Sequence, residues 1–268
     1  MHQQPDTFSL KGKTAIVTGS GRESGLGAGM ATALARNGAS VVLNYVSDSS
    51  KIQAEAMATR LRAEYGVESV AIQANVETPE GAVRLVEEGM KGLVMDKVDI
   101  LVNNAGCNIA GSTMETPLED VHKQFSVNTF AAIYMVRAAV PHMPSGGRII
   151  NISTICSKLP MPSVPFYSAA KAALDSLAST WAAEFGRSRG ITVNTVAPGP
   201  VGTDEVHKFV RDNPGGFGPV QDLIDRARAA DRMGSVDDVA DAVLLLAQEK
   251  SRWITGQYID VSGGVTGS

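Results

Sequence analysis

The sequence predicts an α/β protein with a single doubly wound domain, in which a seven-stranded parallel sheet carries helices on both faces. Short apolar runs rich in β-branched residues alternate with longer helical patterns, as expected for parallel strands joined by helical crossovers. No linker or internal repeat interrupts this succession. A length of 268 residues, with 44% hydrophobic and 19% charged residues, suits one large globular domain spanning residues 1–268.

Seven runs are strand candidates, and β-branched side chains recur in each of them. In chain order they cover residues 14–18, 40–45, 69–73, 98–102, 148–152, 191–196 and 257–261. Helical patterns lie between them, over residues 25–37, 49–65, 79–93, 117–140, 165–189 and 235–248. Strands and helices in this order give a doubly wound sheet.

Residues 204–231 depart from the alternation. This stretch follows the sixth strand and contains the turn-forming run Asn-Pro-Gly-Gly-Phe-Gly-Pro at 213–219. A loop of this length in a compact domain is usually a lid or a binding loop. We therefore expect residues 204–231 to close over a substrate.

Charge and cysteine content narrow the function classes. The formal net charge is −4 with no basic run, which argues against nucleic acid or an anionic membrane as the main partner. Only Cys107 and Cys156 are present, which favours a reducing compartment and no disulfide framework. The four histidines lack metal-ligand spacing. With no apolar leader at 1–13 and no long apolar run, the sequence predicts a cytoplasmic protein that acts on a small molecule.

A tyrosine and a lysine four residues apart are the strongest sign of chemistry. Tyr167 and Lys171 lie one helical turn apart within the predicted helix 165–189, so they share a face. A free phenol has a pKa of about 10, and a neighbouring ammonium lowers it. The pair therefore indicates an acid-base group that works near neutral pH.

A glycine-rich turn joins the first strand to the first helix. Its sequence is Thr-Gly-Ser-Gly-Arg-Glu-Ser-Gly-Leu-Gly at residues 18–27. The bare amides and positive dipole end of a helix N-terminus suit a pyrophosphate. This position indicates a phosphate-binding loop.

Taken together, these motifs resemble the short-chain dehydrogenase/reductase family, whose fold is of Rossmann type. The resemblance runs through nearly the whole chain and includes Asn-Asn-Ala-Gly at 103–106 and Pro198-Gly199 with Thr203 beyond. The family signature has three residues between Thr-Gly and Gly-x-Gly. Here five residues separate Gly19 from Gly25, so the loop carries a two-residue insertion.

The end of the second strand bears on cofactor choice, because an acidic residue there would bind the 2'-hydroxyl of NAD. This chain has Asn44-Tyr45, with Arg22 and Ser47 able to bind a 2'-phosphate, whereas Asp48 argues the other way. We expect NADP(H). By resemblance and position, the expected cofactor-binding residues are Gly19, Gly21, Arg22, Ser24, Gly25, Leu26, Gly27, Asn44, Tyr45, Ser47, Asn75, Val76, Asn103, Ala105, Gly106, Tyr167, Lys171, Pro198, Gly199, Val201 and Thr203.

The family resemblance also implies a catalytic set. Carried across residue by residue, it is Asn128, Thr154, Tyr167 and Lys171. The second position departs from the family, which has serine there. Ser153 is the alternative donor, although it should point to the opposite side of an extended chain.

These features predict an NADP(H)-dependent oxidoreductase that reduces a carbonyl to an alcohol by hydride transfer, with Tyr167 as the general acid. A non-redox dehydratase, epimerase or cyclase on the same fold, and a nucleotide-binding regulator, are the alternatives. The pattern resembles reductases of polyketide or aromatic ketones and also 3-oxoacyl-thioester reductases. The residues alone do not separate these two substrate classes.

The family resemblance further implies a homo-oligomer, a tetramer or a dimer, built by pairing the helix that carries Tyr167 and Lys171. An apolar stripe on that helix could form such a face or could point into the core. Its members are Ala173, Leu174, Leu177, Ala178 and Trp181.

Overall fold

A single seven-stranded parallel sheet organises the chain, which confirms the predicted fold class. The computed structural model describes residues 8–212 and 217–266. The strands are β1 Thr14–Val17, β2 Ser40–Tyr45, β3 Ser69–Gln73, β4 Ile100–Asn103, β5 Arg148–Ile152, β6 Thr192–Pro198 and β7 Tyr258–Val261. They pair in the order β3-β2-β1-β4-β5-β6-β7, and every pair is parallel.

Helices cover both faces of the sheet. They are α1 Leu26–Arg36, α2 Lys51–Tyr65, α3 Pro79–Leu93, α4 Leu118–Phe125, α5 Ala131–Ala139, α6 Pro165–Arg189, α7 Asp204–Asp212, α8 Phe217–Asp225 and α9 Val236–Ala247. One core cluster packs α1, α2 and α9 against the sheet, and a second packs α3, α5 and α6 against the other face. Strands buried from both sides explain why their sequences are almost continuously apolar.

The strand order places a crevice at the carboxyl ends of β1 and β4. The chain builds the sheet outward from β1 through β2 to β3, and then crosses to β4 on the other side of β1. The connections that follow β1 and β4 therefore leave the sheet in opposite directions. Such a switch point is where open α/β sheets bind ligands.

The predicted helix over 117–140 is interrupted in the structure. A π turn, Ser126–Phe130, separates α4 from α5, and the Ala131 amide bonds to the Ser126 carbonyl five residues back. The Asn128 side-chain amide donates to the backbone carbonyl of Gln124, in the last turn of α4, at 2.9 Å. Single π turns of this kind are frequent at functional sites, and this one projects Asn128 inward.

Residues 204–231 are not a structureless loop, so that expectation was wrong in its secondary structure. Two nine-residue helices, α7 and α8, occupy most of the stretch, and residues 213–216 lie outside the described part of the chain. The Gly- and Pro-rich run at 213–219 obscured two short helical patterns. At the base, Val201 and Gly234 form an isolated parallel bridge that brings the two ends of the stretch together.

The apolar stripe on α6 packs mainly into the molecule's own core. Leu174, Ala178 and Trp181 are buried in the second core cluster, and Leu177 packs against it. Of the two possibilities left open by the sequence, the core-facing one therefore holds for most of the stripe.

A buried carboxylate ties the amino-terminal edge of the sheet together. Asp99, whose side chain is 1% exposed, precedes β4 and accepts hydrogen bonds from the ammonium groups of Lys13 and Lys97, both at 3.1 Å. It also accepts from the Thr14 amide at 3.0 Å. This network lies at the opposite end of the sheet from the crevice.

Replacing Asp99 with Asn should destabilise the protein by about 2 kcal/mol, because a buried acceptor of two cations loses its charge. Urea unfolding followed by circular dichroism measures the effect. The control is Glu55→Gln, which removes an exposed ion pair with Lys51 at 4.0 Å and should cost less than about 0.5 kcal/mol. Equal effects of the two changes would contradict this account of the network.

Candidate active site

The turn between β1 and α1 has a backbone path that needs glycine. Gly19 has φ of +63°, a left-handed conformation that side chains disfavour. A Cβ added at Gly27 would lie 2.6 Å from the Gly19 carbonyl oxygen, and one at Gly21 would lie 2.6 Å from the Tyr45 Cβ. Even with its two-residue insertion, the loop therefore stays close to the end of β2 and to the first turn of α1.

The N-terminus of α1 is open to an anion. Gly25 is its N-cap, with no side-chain capping bond, and the first turn carries no acidic residue. Helix amides without an internal partner and the positive dipole end therefore face the crevice. This is the geometry expected of a phosphate-binding turn.

Two residues that were absent from the predicted site join the loops after β1 and β4. The Thr18 hydroxyl accepts from the amides of Asn104 and Ala105, both at 2.9 Å. The Asn104 side chain donates to the Thr18 carbonyl at 2.8 Å. The signal was present in the sequence, since Thr18 opens the glycine turn and Asn104 lies inside the second motif, but neither residue type indicated this link.

Asn103 and Gly106, at the two ends of the second motif, have separate tasks. Asn103 donates from its side chain to the Asn151 side-chain oxygen at 2.9 Å, between β4 and β5. A Cβ at Gly106 would lie 2.9 Å from the Asn128 side-chain oxygen and 3.4 Å from Lys171 Nζ. The absence of a side chain at Gly106 allows these two groups to approach the loop.

Asn44 lies in a different environment from the one expected. Its side chain is fully buried, accepts from the Gly19 amide at 3.0 Å and donates to the Ala74 carbonyl at 3.0 Å. These contacts brace the glycine loop against the ends of β2 and β3. The amide is already engaged by backbone groups, so the structure gives it a supporting position and not one facing a ribose or phosphate.

A cavity of about 390 Å³ lies between the glycine loop, the turn after β2 and the start of α7. Its lining residues are Arg22, Ser24, Gly25, Ser49, Ser50, Gln53, Thr203 and Asp204. Across the cavity mouth, the Ser24 hydroxyl donates to the Asp204 carboxylate at 2.5 Å. The inserted loop segment therefore reaches the beginning of the 204–231 stretch.

The hydroxyl groups of the turn after β2 form a cluster beside this cavity. Ser47 Oγ lies 2.9 Å from Ser49 Oγ and 3.0 Å from Ser50 Oγ. Asp48 accepts from the Gln73 side chain at 2.8 Å, which holds its carboxylate against the end of β3. The acidic residue that argued for NAD is thus engaged by the last side chain of β3.

The other residues expected to contact the cofactor follow the carboxyl ends of β3 and β6. Asn75 is exposed and its side-chain oxygen accepts from the Glu77 amide at 3.1 Å, while Val76 is buried. Pro198 ends β6, and a Cβ at Gly199 would lie 2.8 Å from Ser262 Cβ. Thr203 is buried, and its backbone carbonyl accepts from the His207 amide at 3.0 Å and so starts α7.

Lys171 is a buried cation at the centre of the candidate site. Its side chain lies on α6, and Nζ donates to the Ile152 carbonyl at the end of β5 at 2.7 Å. The residue is only 3% exposed. Burial lowers the pKa of Lys171 to about 8, while the negative charge of Asp175 acts in the opposite direction.

Asn128 and Tyr167 both precede this lysine in the chain, one in the π turn and the other on α6. The Asn128 side chain is held by the Cys107 backbone, donating to its carbonyl at 2.8 Å and accepting from its amide at 3.2 Å. Tyr167 is half-buried in the first turn of α6, one turn before Lys171. The structure thus gathers Asn128 and Lys171 at Gly106, with Tyr167 on the same helix as Lys171.

The two candidate hydroxyls at the end of β5 have different surroundings. Thr154 Oγ1 accepts from the Cys156 amide at 3.2 Å and caps the 3₁₀ turn Ile155–Ser157, so its proton can point away from that turn. Ser153 Oγ is buried and has no hydrogen-bond partner of ordinary geometry among the described residues. It faces Asp175, whose pKa it helps to lower.

A small apolar cluster joins the turn after β5, helix α8 and the segment after β7. Ile155, Leu223 and Val265 are its buried members, and Leu159, Met161 and Ala227 pack against them.

Burial raises the pKa of both Cys107 and Cys156, which keeps these thiols neutral at pH 7. In residues 8–212 and 217–266, no cluster of His, Cys, Asp and Glu could hold a metal ion, and no helix is long and apolar enough to cross a bilayer.

Comparison with known proteins gives matches along almost the entire chain. A family model described as enoyl-(acyl carrier protein) reductase matches residues 19–266. The short chain dehydrogenase penD of Penicillium thymicola is 37% identical over 265 residues, covering 96% of this chain and 93% of that protein. Tetrahydroxynaphthalene reductase of Pyricularia oryzae is 32% identical, covering 97% and 92% of the two chains.

A solved structure agrees with these relatives. The angucycline C-6 ketoreductase LanV with bound NADP superposes with a TM-score of 0.85 at 32% identity, covering 96% of each chain. The region matched by the family model includes the glycine loop, the Asn-Asn-Ala-Gly motif and the Tyr-Lys pair of this sequence. The chain belongs to the short-chain dehydrogenase/reductase family of oxidoreductases.

Proposed function

We propose that this protein is an NADP(H)-dependent reductase that converts a ketone to an alcohol. The observation that carries the proposal is the buried Lys171 ammonium, fixed on the Ile152 carbonyl one helical turn from Tyr167. It lies at the carboxyl edge of the sheet, where the glycine loop also opens. An acid-base group and a phosphate-binding turn at one switch point suit cofactor-dependent proton and hydride chemistry.

The residues around the crevice fit a dinucleotide. Gly19 and Gly27 leave the backbone bare where a pyrophosphate would approach the uncapped amides of α1. Pro198, Gly199, Val201 and Thr203, at and after the end of β6, would hold the nicotinamide end. When bound, NADPH supplies the hydride that a carbonyl carbon accepts.

The cavity beside the glycine loop supports NADP(H) over NAD(H). Arg22 is a permanently charged donor, and the hydroxyls of Ser47, Ser49 and Ser50 add neutral donors next to it. Asp48 is held away by Gln73. A 2'-phosphate would find charge-assisted hydrogen bonds there, and the LanV neighbour was solved with bound NADP.

In the proposed reaction Tyr167 donates its phenolic proton to the oxygen of the reduced carbonyl. The charge of Lys171 lowers the free energy of the phenolate that forms and so makes the proton available near neutral pH. Asn128 holds the Cys107 loop in place beside Lys171. Thr154 donates a hydrogen bond to the carbonyl oxygen, since its hydroxyl accepts from Cys156 and keeps its own proton for the substrate.

For the substrate we infer a fused-ring aromatic or polyketide-type ketone, the first of the two classes that the sequence left open. The apolar cluster of Ile155, Leu223 and Val265, which begins one residue after Thr154, supports an apolar substrate. The names of a tetrahydroxynaphthalene reductase and an angucycline ketoreductase among the similar proteins point the same way. Helices α7 and α8, within a single domain, would act as the lid.

We further propose that the protein assembles as a homo-oligomer. β7 is an edge strand of the sheet. Trp253, a few residues before β7, is 96% exposed, and Leu245 on α9 is 61% exposed. We infer that these side chains belong to a contiguous apolar patch, which would mark a contact surface between chains. Light scattering of the purified protein tests this part of the proposal.

Replacing Tyr167 with Phe should lower turnover at least about 10²-fold, because the proton donor is removed. NADPH affinity should stay close to that of the wild type. Turnover is followed by loss of reduced-nicotinamide absorbance against a tetralone, a quinone and a 3-oxoacyl thioester, and affinity by fluorescence titration. The control is Tyr65→Phe on α2, remote from the crevice. A Tyr167 variant that retains wild-type turnover would rule out the assigned acid.

Replacing Thr154 with Ala should reduce turnover about 10² to 10³-fold, the range for loss of one preorganised donor to a developing oxyanion. The adjacent change Ser153→Ala is the matched control, since that hydroxyl faces Asp175. Both variants are assayed at saturating ketone and cofactor. If the Ser153 change gives the larger loss, the donor has been assigned to the wrong hydroxyl.

Replacing Arg22 with Ala should weaken NADPH binding about tenfold or more and leave NADH binding nearly unchanged, because only NADPH carries the 2'-phosphate. The two dissociation constants are measured by fluorescence titration at fixed ionic strength. Arg36→Ala, at the far end of α1, controls for loss of general positive charge. A parallel loss for both cofactors would show that Arg22 supports the loop and does not read the phosphate.

A further inference from the structure

A buried carboxylate next to the candidate site has no role in the reaction described so far. Asp175 lies on α6 four residues after Lys171, and its side chain is 6% exposed. Neither carboxylate oxygen has a hydrogen bond of ordinary geometry within the described residues. A buried, incompletely solvated carboxylate is costly and is retained only where a nearby positive charge compensates it.

The groups around Asp175 come from three elements. Lys171 lies one turn back on α6, and Ser153, Ser157 and Lys158 approach from the end of β5 and the turn after it. Lys158 Nζ is 3.9 Å from the carboxylate, with a half-exposed side chain. Tyr258 and Asp260 face the cluster from β7, with Cys156 beside Tyr258.

Burial raises the pKa of the Asp175 carboxyl. The hydroxyls of Ser157 and Ser153 act against this shift, and so do the ammonium groups of Lys158 and Lys171. Burial raises the pKa of Tyr258 to about 12, so that phenol is neutral at pH 7. The Asp175 carboxylate is therefore surrounded by hydroxyl dipoles and by two cations, of which Lys158 is partly screened by solvent.

Lys171 needs a negative partner in the protein. Its ammonium is removed from water and donates to a neutral acceptor, the Ile152 carbonyl. Cys107 is the other acidic group acting on it, but burial raises the pKa of that thiol, which stays protonated at neutral pH. Asp175 is thus the carboxyl group that acts on Lys171, at the i,i+4 spacing that places two side chains on one face of a helix.

We propose that Asp175 is a positioning residue whose carboxylate keeps Lys171 protonated, one helical turn after Tyr167. This inference rests on the proposed function only for its effect on rate, because the charge state of Lys171 is a property of the protein alone. With Asp175 ionised, the two buried groups form a neutral pair. Without it, Lys171 loses its proton at a lower pH and no longer stabilises the Tyr167 phenolate.

The sign of the pH effect follows from the direction of each shift. Burial lowers the pKa of Lys171 and Asp175 raises it. When the carboxylate is removed, nothing from Asp175 opposes the effect of burial, so the pKa of Lys171 falls. Lys171 then loses its proton at a lower pH than in the wild type. Ketone reduction, which needs the charged lysine, should then decline at a lower pH than in the wild type.

The titration of Lys171 tests the proposal directly. Protein labelled with ¹³C-lysine is titrated from about pH 6 to about pH 10, and the Lys171 signal is assigned by its absence in Lys171→Met. In the wild type we expect a midpoint near 8. In Asp175→Asn, which has the same shape and no charge, the midpoint should fall by about one pH unit or more.

Two further variants separate charge from packing. Asp175→Glu keeps the carboxylate and should keep the midpoint near that of the wild type. Lys158→Met removes the other cation that faces Asp175 and should cause no downward shift of the Lys171 midpoint. Thermal unfolding checks that each variant is folded. A packing defect that admits water would weaken the effect of burial and raise the Lys171 midpoint, which is opposite to the fall expected for loss of the charge.

The rate profile gives the second readout. In Asp175→Asn the alkaline decline of kcat should move to lower pH by the same amount as the Lys171 midpoint, while kcat near pH 6 stays within about threefold of the wild type. A uniform loss at every pH would instead indicate a structural role. An unchanged Lys171 midpoint in Asp175→Asn overturns the proposal. A shifted midpoint in a protein that reduces no ketone leaves it standing and rejects the proposed function.

Discussion

The architecture around the crevice depends on one interaction, the bond from the Lys171 ammonium to the Ile152 carbonyl. A buried cation loses its hydration, so it needs polar groups close to it. The elements around Lys171 leave room for its ammonium and bring such groups near it. Gly106 has no side chain where Nζ approaches, and the π turn before α5 brings Asn128 to the same place. Helix α6 is therefore fixed to the end of β5 by an electrostatic contact as well as by its apolar face.

A second link joins the two halves of the sheet above the switch point. The Thr18 hydroxyl holds two successive amides of the loop after β4, and Asn104 returns a bond to Thr18. These bonds are made by the protein itself, so the phosphate-binding turn and the lysine side of the crevice have a fixed separation before any ligand arrives. Preorganisation of this kind reduces the ordering cost of binding.

Much of the fold was predictable because strand and helix periodicities are local. The seven strands and the six major helical regions lie within a few residues of their predicted positions. The π turn was not predictable, because it depends on Asn128 reaching the Cys107 backbone, a contact between separate segments. Likewise, the position of Asn44 in the sequence, at the end of β2, predicts a ribose contact. Its side chain instead bonds to the backbone of Gly19 and Ala74, and no local sequence pattern reveals these contacts.

The candidate site divides in the same way. The residue types at Tyr167 and Lys171 indicate their chemistry by spacing alone, whereas Asp175 looks like an ordinary helix residue until its burial is known. The short helices α7 and α8 were obscured by the Gly- and Pro-rich run between them. Sequence identifies groups whose function depends on their neighbours along the chain, and it misses those whose function depends on burial.

The bridge between Val201 and Gly234 has a consequence for how this protein could change over evolutionary time. The segment that contains α7 and α8 begins and ends at this bridge. Its attachment to the sheet is therefore the same, whatever the length of chain between Val201 and Gly234. Loop-closure entropy rises slowly with length, so insertions and replacements there are inexpensive. The segment between Val201 and Gly234 can therefore be replaced as a unit. New substrates can be acquired by changes in that segment, while Tyr167 and Lys171 stay in place.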